Sequence, residues 1–292
     1  MKTDENTMNE YHAVDLSLWR KTGSGANSDS YLGEDAGLLL KVFKKNATEE
    51  KAAKDFTMAR KVASLGITTA AVYEIVKVGD KFGVIYQNIK NKKSYSRLIA
   101  DDPEQMREYV KAFAARTKEL HATPCDTEMF EGRTEMIRKG IAHAKFVEKY
   151  KPDLYKLADE MAEHTTCLHG DLQSGNLIRA DGRDYWIDFD RFSYGDPIMD
   201  IAHMYNIYVC VSWLGFIQKL LHMDRKTLLR FWDLFVEEYY GLTGAEAAEF
   251  SKSLSIYNAL DLIQRNYTRP SFFSDLVTLI LVRPKVKKYF RQ

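Results

Sequence analysis

Cysteine is scarce in this chain. Cys125, Cys167 and Cys210 are the three in 292 residues. Their odd number and wide separation exclude a disulfide framework and the paired spacing of a zinc site, and they fit a reducing cytoplasm. Excess charge is lacking too: 42 Lys and Arg stand against 41 Asp and Glu, a net charge of +1. Nucleic acid binding needs many uncompensated cations along one surface, so no nucleic acid partner is expected, and any basic footprint is local, as in 283–291. No long apolar run is present either. The longest, 198–221, is interrupted by Asp200, His203, Asn206, Ser212 and Gln218 at positions a lipid core would penalise. It reads as a buried helix, and no membrane partner is expected. Residues 1–15 are polar and acidic, without the apolar stretch of a secretory signal, so a cytoplasmic location is expected. What the chain does have is 45% hydrophobic and 28% charged residues, an ordinary globular balance with enough apolar mass for a sizeable core.

The pattern changes along the chain. Before about residue 90 the apolar runs are short and strand-like; afterwards they take helical spacing. Strands are expected over 16–21, 30–33 and 37–44 as an antiparallel meander. Thr48 caps a helix reaching Leu65, with Ala52, Phe56, Ala59 and Ala63 on one face and Gly66 at its end. Two more strands, 72–78 and 82–89, flank Gly79 and Asp80, a dipeptide suited to a tight hairpin. Residues 90–94 form the connection. Helices follow over 102–121, 128–150, 153–163, 198–221, 225–240, 244–265 and 271–280. Within them, 167–190 differs, reading as a strand, a polar loop and a hairpin turning at Asp181 and Gly182. The expected class is α+β with two domains, an antiparallel-sheet lobe at 1–89 and a larger, mainly helical lobe at 90–292.

That polar loop reads His169, Gly170, Asp171, Leu172, Gln173, Ser174, Gly175, Asn176, and twelve residues further come Asp188, Phe189 and Asp190. Magnesium requires oxygen ligands in octahedral array, and an Asn amide oxygen with a carboxylate, completed by phosphates and water, meets that demand. A proton acceptor one short loop away can orient a hydroxyl in line with a transferred phosphoryl group. Asp and Asn also cap turns and close hairpins, but the joint spacing favours the chemical reading.

The H-G-D-x-x-x-x-N loop and the following I-D-F resemble the aminoglycoside phosphotransferase, choline kinase and fructosamine kinase superfamily more than ordinary protein kinases. The L-x-S-G-N ending is most similar to the fructosamine kinase form. The resemblance implies a two-lobed, protein-kinase-like fold, with Asp171 as catalytic base and Asn176 and Asp188 as magnesium ligands. It assigns the loop of Gly23, Ser24, Gly25, Ala26, Asn27 and Ser28 to the nucleotide phosphates, although Ser28 replaces a third glycine. Lys41, in the apolar run 38–43, would meet the α- and β-phosphates. Its acid partner falls at Asp55, where the superfamily usually has Glu, with Glu49 as the substitute. The backbone of Tyr86, Gln87, Asn88 and Ile89 would meet the base of ATP or GTP. His169 would orient the loop, Gln173 stands where protein kinases often carry Lys, Asp196 would cap the helix near Pro197, and Asp200 looks architectural.

The expectation is an ATP- and magnesium-dependent kinase acting on a hydroxyl of a small molecule: a sugar, an amino alcohol, a glycated amine or an aminoglycoside-like compound. A small acceptor is favoured because Asp196 comes only eight residues after Asp188 and no A-P-E motif follows, leaving no room for a peptide platform. The alternative is a catalytically silent nucleotide-binding module, a pseudokinase. A metal hydrolase built on His169, Asp171 and Asp188 lacks further His ligands and ranks last. Trp213, Trp232, Tyr205, Tyr208, Tyr239 and Tyr240 could line a substrate pocket, but helical core is favoured for them.

Overall fold

A computed structural model describes residues 11–24, 28–34, 37–44, 48–268 and 272–291. The chain divides into two compact units, Met1–Lys92 and Lys93–Gln292.

The first unit is a five-stranded antiparallel sheet carrying one helix. Strands β1 (Arg20–Ser24), β2 (Ser28–Leu32) and β3 (Leu38–Phe43) precede helix α1 (Glu49–Ser64), and β4 (Val72–Val78) and β5 (Lys81–Gln87) follow it. The strand order is β1-β2-β3-β5-β4. Period-two alternation divides β3 between two faces. Leu40 and Val42 join Val76, Val78 and Ile85 in one apolar cluster, while Phe43 packs with Val84 and with Ala52 of α1. Lys41 shares the parity of Phe43 and so faces the helix. Thr48 caps α1 by accepting from Lys51 N, as expected, and the buried stripe of the helix is Ala52, Asp55, Ala59 and Val62. A carboxylate therefore sits in the middle of an apolar face. The hairpin turn at Gly79, with φ +61°, also matches expectation. The strand expected over 16–21 does not form. Leu16–Leu18 is a 3-10 turn because the Asp15 side chain accepts from Ser17 N, an alternative to the ladder, and pairing begins at Arg20.

In the second unit, strand β6 (Lys93–Ser94) leads into α2 (Tyr95–Asp101), a short helix capped by Ser94 that the sequence reading did not assign. Then come α3 (Met106–Ala122), α4 (Arg133–His143), α5 (Lys151–Asp159), β7 (Thr166–Leu168), β8 (Leu177–Ala180), β9 (Arg183–Trp186) and β10 (Ser193–Gly195). The rest is helical: α6 (Ile198–Tyr205), α7 (Gly215–Leu221), α8 (Arg225–Tyr240), α9 (Gly244–Thr268), α10 (Phe272–Val277) and α11 (Arg283–Tyr289). One core joins Ile137 and Ile141 of α4, Leu154 and Leu157 of α5, and Ile256, Leu260 and Ile263 of α9. Each such side chain contributes about 1.5–3 kcal/mol on burial. Phe113 of α3 meets Phe231 and Phe235 of α8 and Trp186 of β9 ring to ring.

Three expected helices are corrected. The span 128–150 is helical over Arg133–His143: Asp126 accepts from Glu128 N and Met129 N in a turn before it, and Phe146 takes φ +65° after it. The span 198–221 is broken, since a π turn over Asn206–Cys210 follows α6 and Ser212 then bends the chain, its hydroxyl donating to Val209 O. At the end of the chain, 269–271 lie outside the described residues, and α10 passes through a π turn over Thr278–Val282 into α11. Among the described residues, no helix is long and apolar enough to cross a membrane. Trp232 and Tyr208 are core residues, whereas Trp213 is 62% exposed.

Candidate active site

In the first unit, the alternation of β3 and the inward stripe of α1 bring Lys41 Nζ to 2.9 Å from Asp55 Oδ1. The other carboxylate oxygen of Asp55 accepts from the Tyr86 hydroxyl. Asp55 is buried and so is held from two strands at once. Glu49 instead accepts from the Tyr11 hydroxyl at 2.6 Å. Sequence reasoning valued Tyr86 for its backbone; its ring follows from parity, since Tyr86 and Val84 point the same way from β5. The N–H groups of Gln87 and Asn88 donate to Ala71 O and Gly37 O, at 2.7 and 2.9 Å. Of the glycine-rich loop, Gly23 and Ser24 end β1, Ser28 begins β2, and Gly25, Ala26 and Asn27 lie outside the described residues. The Ser24 hydroxyl accepts from Lys44 Nζ at 2.7 Å.

In the second unit, the His169–Asn176 loop leaves β7 at His169 and returns at β8. Its entry is fixed by Asp200 of α6, whose two carboxylate oxygens accept from His169 N at 2.7 Å and Gly170 N at 2.8 Å. Burial would raise the Asp200 carboxyl, but His121, 3.3 Å away, and the nearby Arg133 outweigh it and hold it below the usual value. His169 is fully buried, its Nε2 is 3.0 Å from Ile187 O, and burial holds its pKa below the ordinary value. Gly170 has φ +76°, and a Cβ there would lie 1.9 Å from Arg191 O. That contact explains why glycine stands between His169 and Asp171. The loop's far side is held by Tyr208, whose hydroxyl donates to Ser174 Oγ at 2.7 Å and accepts from Ser174 N at 2.9 Å. Gln173 folds onto the loop itself, its Oε1 accepting from Gly175 N at 2.7 Å.

Asp171 lies where these restraints converge, its side chain 34% exposed. Asn176 Nδ2 donates to Asp171 O at 2.8 Å and lies 3.3 Å from Oδ2, which turns the amide oxygen of Asn176 away from both. Oδ1 lies 3.0 Å from His203 Nε2, out of line with the ring N–H, and 3.4 Å from Arg265 Nη1. Burial would raise the Asp171 carboxyl, yet the His203 contact and the Arg265 guanidinium hold it well below the usual carboxylate range. Both partners are anchored by Asp261 of α9, whose Oδ2 is 3.1 Å from His203 Nδ1 and 2.8 Å from Arg265 Nε. Arg265 Nη2 also donates to Gly170 O at 2.6 Å.

Sequence reasoning missed this cluster. Its signal was there: Asn258, Asp261, Gln264 and Arg265 make a polar stripe on a helix expected to be core, and His203 falls one turn after Asp200. Asp196 accepts from Ile198 N at 2.8 Å and caps α6 as anticipated.

Asp188 follows β9, exposed and with φ +66°. The preceding residue, Ile187, donates its N–H to Asn176 O at 3.0 Å, so the β8–β9 hairpin brings Asn176 and Asp188 to one end. Two oxygen donors fit a hard cation whose remaining ligands are phosphate and water. Among the described residues no group of three or more His, Cys, Asp or Glu is arranged to hold a metal.

Comparisons with known proteins bear on the fold and on the family. Among solved structures, a ternary complex of an aminoglycoside phosphotransferase APH(4)-Ia variant with AMP-PNP and hygromycin B shares 15% identity. The likeness covers 94% of this chain and 93% of that one, with a TM-score of 0.60. An amicoumacin kinase in complex with AMP-PNP, Ca2+ and Ami shares 14% over 95% and 90% of the two chains, at 0.58. A choline/ethanolamine kinase family protein from Mesorhizobium loti shares 14% over 94% and 85%, at 0.52. At such identities the likeness establishes the kinase-like, two-lobed α+β fold. No curated protein matches the chain. The profile of the phosphotransferase enzyme family matches residues 19–235, a span that runs from β1 through Lys41, Asp171 and Asp188 into α8. The chain therefore belongs to the phosphotransferase enzyme family.

Proposed function

We propose that this enzyme transfers the γ-phosphoryl group of ATP, with magnesium, to a hydroxyl of a small molecule: a sugar, an amino alcohol, a glycated amine or an aminoglycoside-like compound. The observation that carries the reading is Asp171, an ionised carboxylate on a loop fixed by Asp200, with Asn176 on one side of it. Asp171 accepts the proton of the acceptor hydroxyl as the acceptor oxygen bonds to the γ-phosphorus. The bond between that phosphorus and the β–γ bridging oxygen breaks, and ADP leaves with the electron pair. A carboxylate held below its usual range is a weak proton sink, which suits a loose transition state in which the proton moves late and orientation matters most. Asn176 and Asp188 would hold magnesium, which supplies charge neutralisation on the phosphates. Lys41, kept in place by Asp55 and Tyr86, binds the α- and β-phosphates. Gln173 brings no charge to the loop, so Lys41 and the metal carry that role.

A screen of hydroxylated metabolites for magnesium-dependent ATP consumption tests the reading, run beside a labelled-ATP incubation with a protein extract. Label on a low-mass compound with the wild type, and none with Asp171→Asn at unchanged nucleotide affinity, is the expected result. Label chiefly on protein, or full turnover by Asp171→Asn, would overturn it. A silent pseudokinase would bind nucleotide and label nothing.

A further inference from the structure

We propose that Arg265 is a positioning residue for Asp171: with His203 packed against the same oxygen, it fixes Oδ1 of the carboxylate, so that Oδ2 is the atom presented to the acceptor hydroxyl. The inference rests on the reading of Asp171 as base and goes beyond it. Four contacts carry it. Arg265 Nη1 and His203 Nε2 both converge on Oδ1, at 3.4 and 3.0 Å. Arg265 Nη2 holds Gly170 O at 2.6 Å, tying the same guanidinium to the backbone one residue before the base. Arg265 Nε is anchored at 2.8 Å on Asp261, itself 2% exposed, so the clamp is set from inside α9.

A carboxylate on a single χ1–χ2 pair can rotate between two oxygens, and an in-line transfer needs one particular lone pair directed at the hydroxyl. Only a planar guanidinium can reach Oδ1, Gly170 O and Asp261 simultaneously; an ammonium has one nitrogen for all three. Asn176 Nδ2, 3.3 Å from Oδ2, is the lighter restraint on the open side. The Arg265 guanidinium also lowers the proton affinity of the base, so its presence is productive only if orientation outweighs basicity. That opposition makes the proposal testable.

The probe is MgATP alone, with water as the acceptor and ADP release as the readout, so no acceptor need be known. Arg265→Lys keeps the charge and loses the fork. The expected result is a kcat about tenfold lower, the scale of one misdirected charge-assisted hydrogen bond, with KM for MgATP within twofold and an unchanged unfolding midpoint. An unchanged kcat, or a loss that falls wholly in KM, would overturn the clamp. Should Arg265→Lys fail to fold, His203→Gln reads the same oxygen from α6 and should lower kcat in the same way; full activity there overturns the proposal equally. Asp171→Asn is measured alongside. If it keeps the wild-type rate, the base assignment itself fails. If it is silent while Arg265→Lys and His203→Gln run at full rate, the base stands and only the clamp is wrong.

Discussion

At the scale of single residues, an aspartate of α1 pairs with the lysine of β3. Asp55 reaches Lys41 across 2.9 Å although it is one methylene shorter than Glu, and Tyr86 binds its second oxygen. The pairing of Lys41 with Asp55 was legible through the resemblance, which puts the lysine's acid partner on the following helix, where Asp55 shares a face with Ala52 and Ala59. The part played by Tyr86 was not, since a tyrosine in a strand gives no sign of whether its ring or its backbone matters. A hydrogen bond to a charged group contributes about 1.5–3 kcal/mol. Tyr86→Phe should therefore lower kcat/KM for ATP about tenfold, and the loss should vanish in a Lys41→Ala background, where Asp55→Ala also adds little. Steady-state kinetics on the two double-variant cycles measure this, and fully additive losses would refute the triad.

At the scale of elements, two glycines of positive φ near the site differ in what surrounds them. Gly182, φ +77°, closes the β8–β9 hairpin with open space where a Cβ would go. Gly170, φ +76°, has Arg191 O within 1.9 Å of that position. Gly182→Ala should cost only the backbone strain, about 1–2 kcal/mol, with catalysis intact. Gly170→Ala cannot be accommodated unless the backbone at Arg191 moves, so urea unfolding should show a loss of several kcal/mol or no cooperative transition. The hairpin itself could be read from Asp181 and Gly182, whose turn chemistry is local. The break between α6 and α7 could not. It depends on a π turn that carries the Tyr208 hydroxyl to Ser174, a tertiary demand that apolar periodicity does not encode. For the same reason the stripe from Asn258 to Arg265 passed for core, as its partners come from distant segments. The polar interruptions noted in 198–221 were the visible part of that network.

At the scale of the whole molecule, the second unit holds ionisable groups whose folded and unfolded proton affinities differ. Burial keeps His169 below its ordinary value of 6.5. Asp200 and Asp261 are below 3.8, because His and Arg partners outweigh burial at both. Below about pH 6.5 the unfolded chain takes up a proton at His169 that the folded chain resists. Stability should fall from there as pH decreases, and fall more steeply below 3.8 as the unfolded chain protonates aspartates that remain ionised when folded. Urea midpoints from about pH 7.5 down to 4 measure the first phase, which His169→Gln should flatten; a midpoint that rises on acidification would contradict the assignment.

The stretch from Asp188 to Asp196 has a consequence for control. Phe192 N donates to Phe189 O in a tight turn, Ser193–Gly195 pair with β7, and Ser193 is fully buried. The Ser193 hydroxyl is therefore out of a modifying enzyme's reach, and the pairing of Ser193–Gly195 with β7 leaves that part of the segment no slack to swing out. Any modification of Ser193 would first require β10 to leave β7, so in the folded chain control through that hydroxyl is closed off.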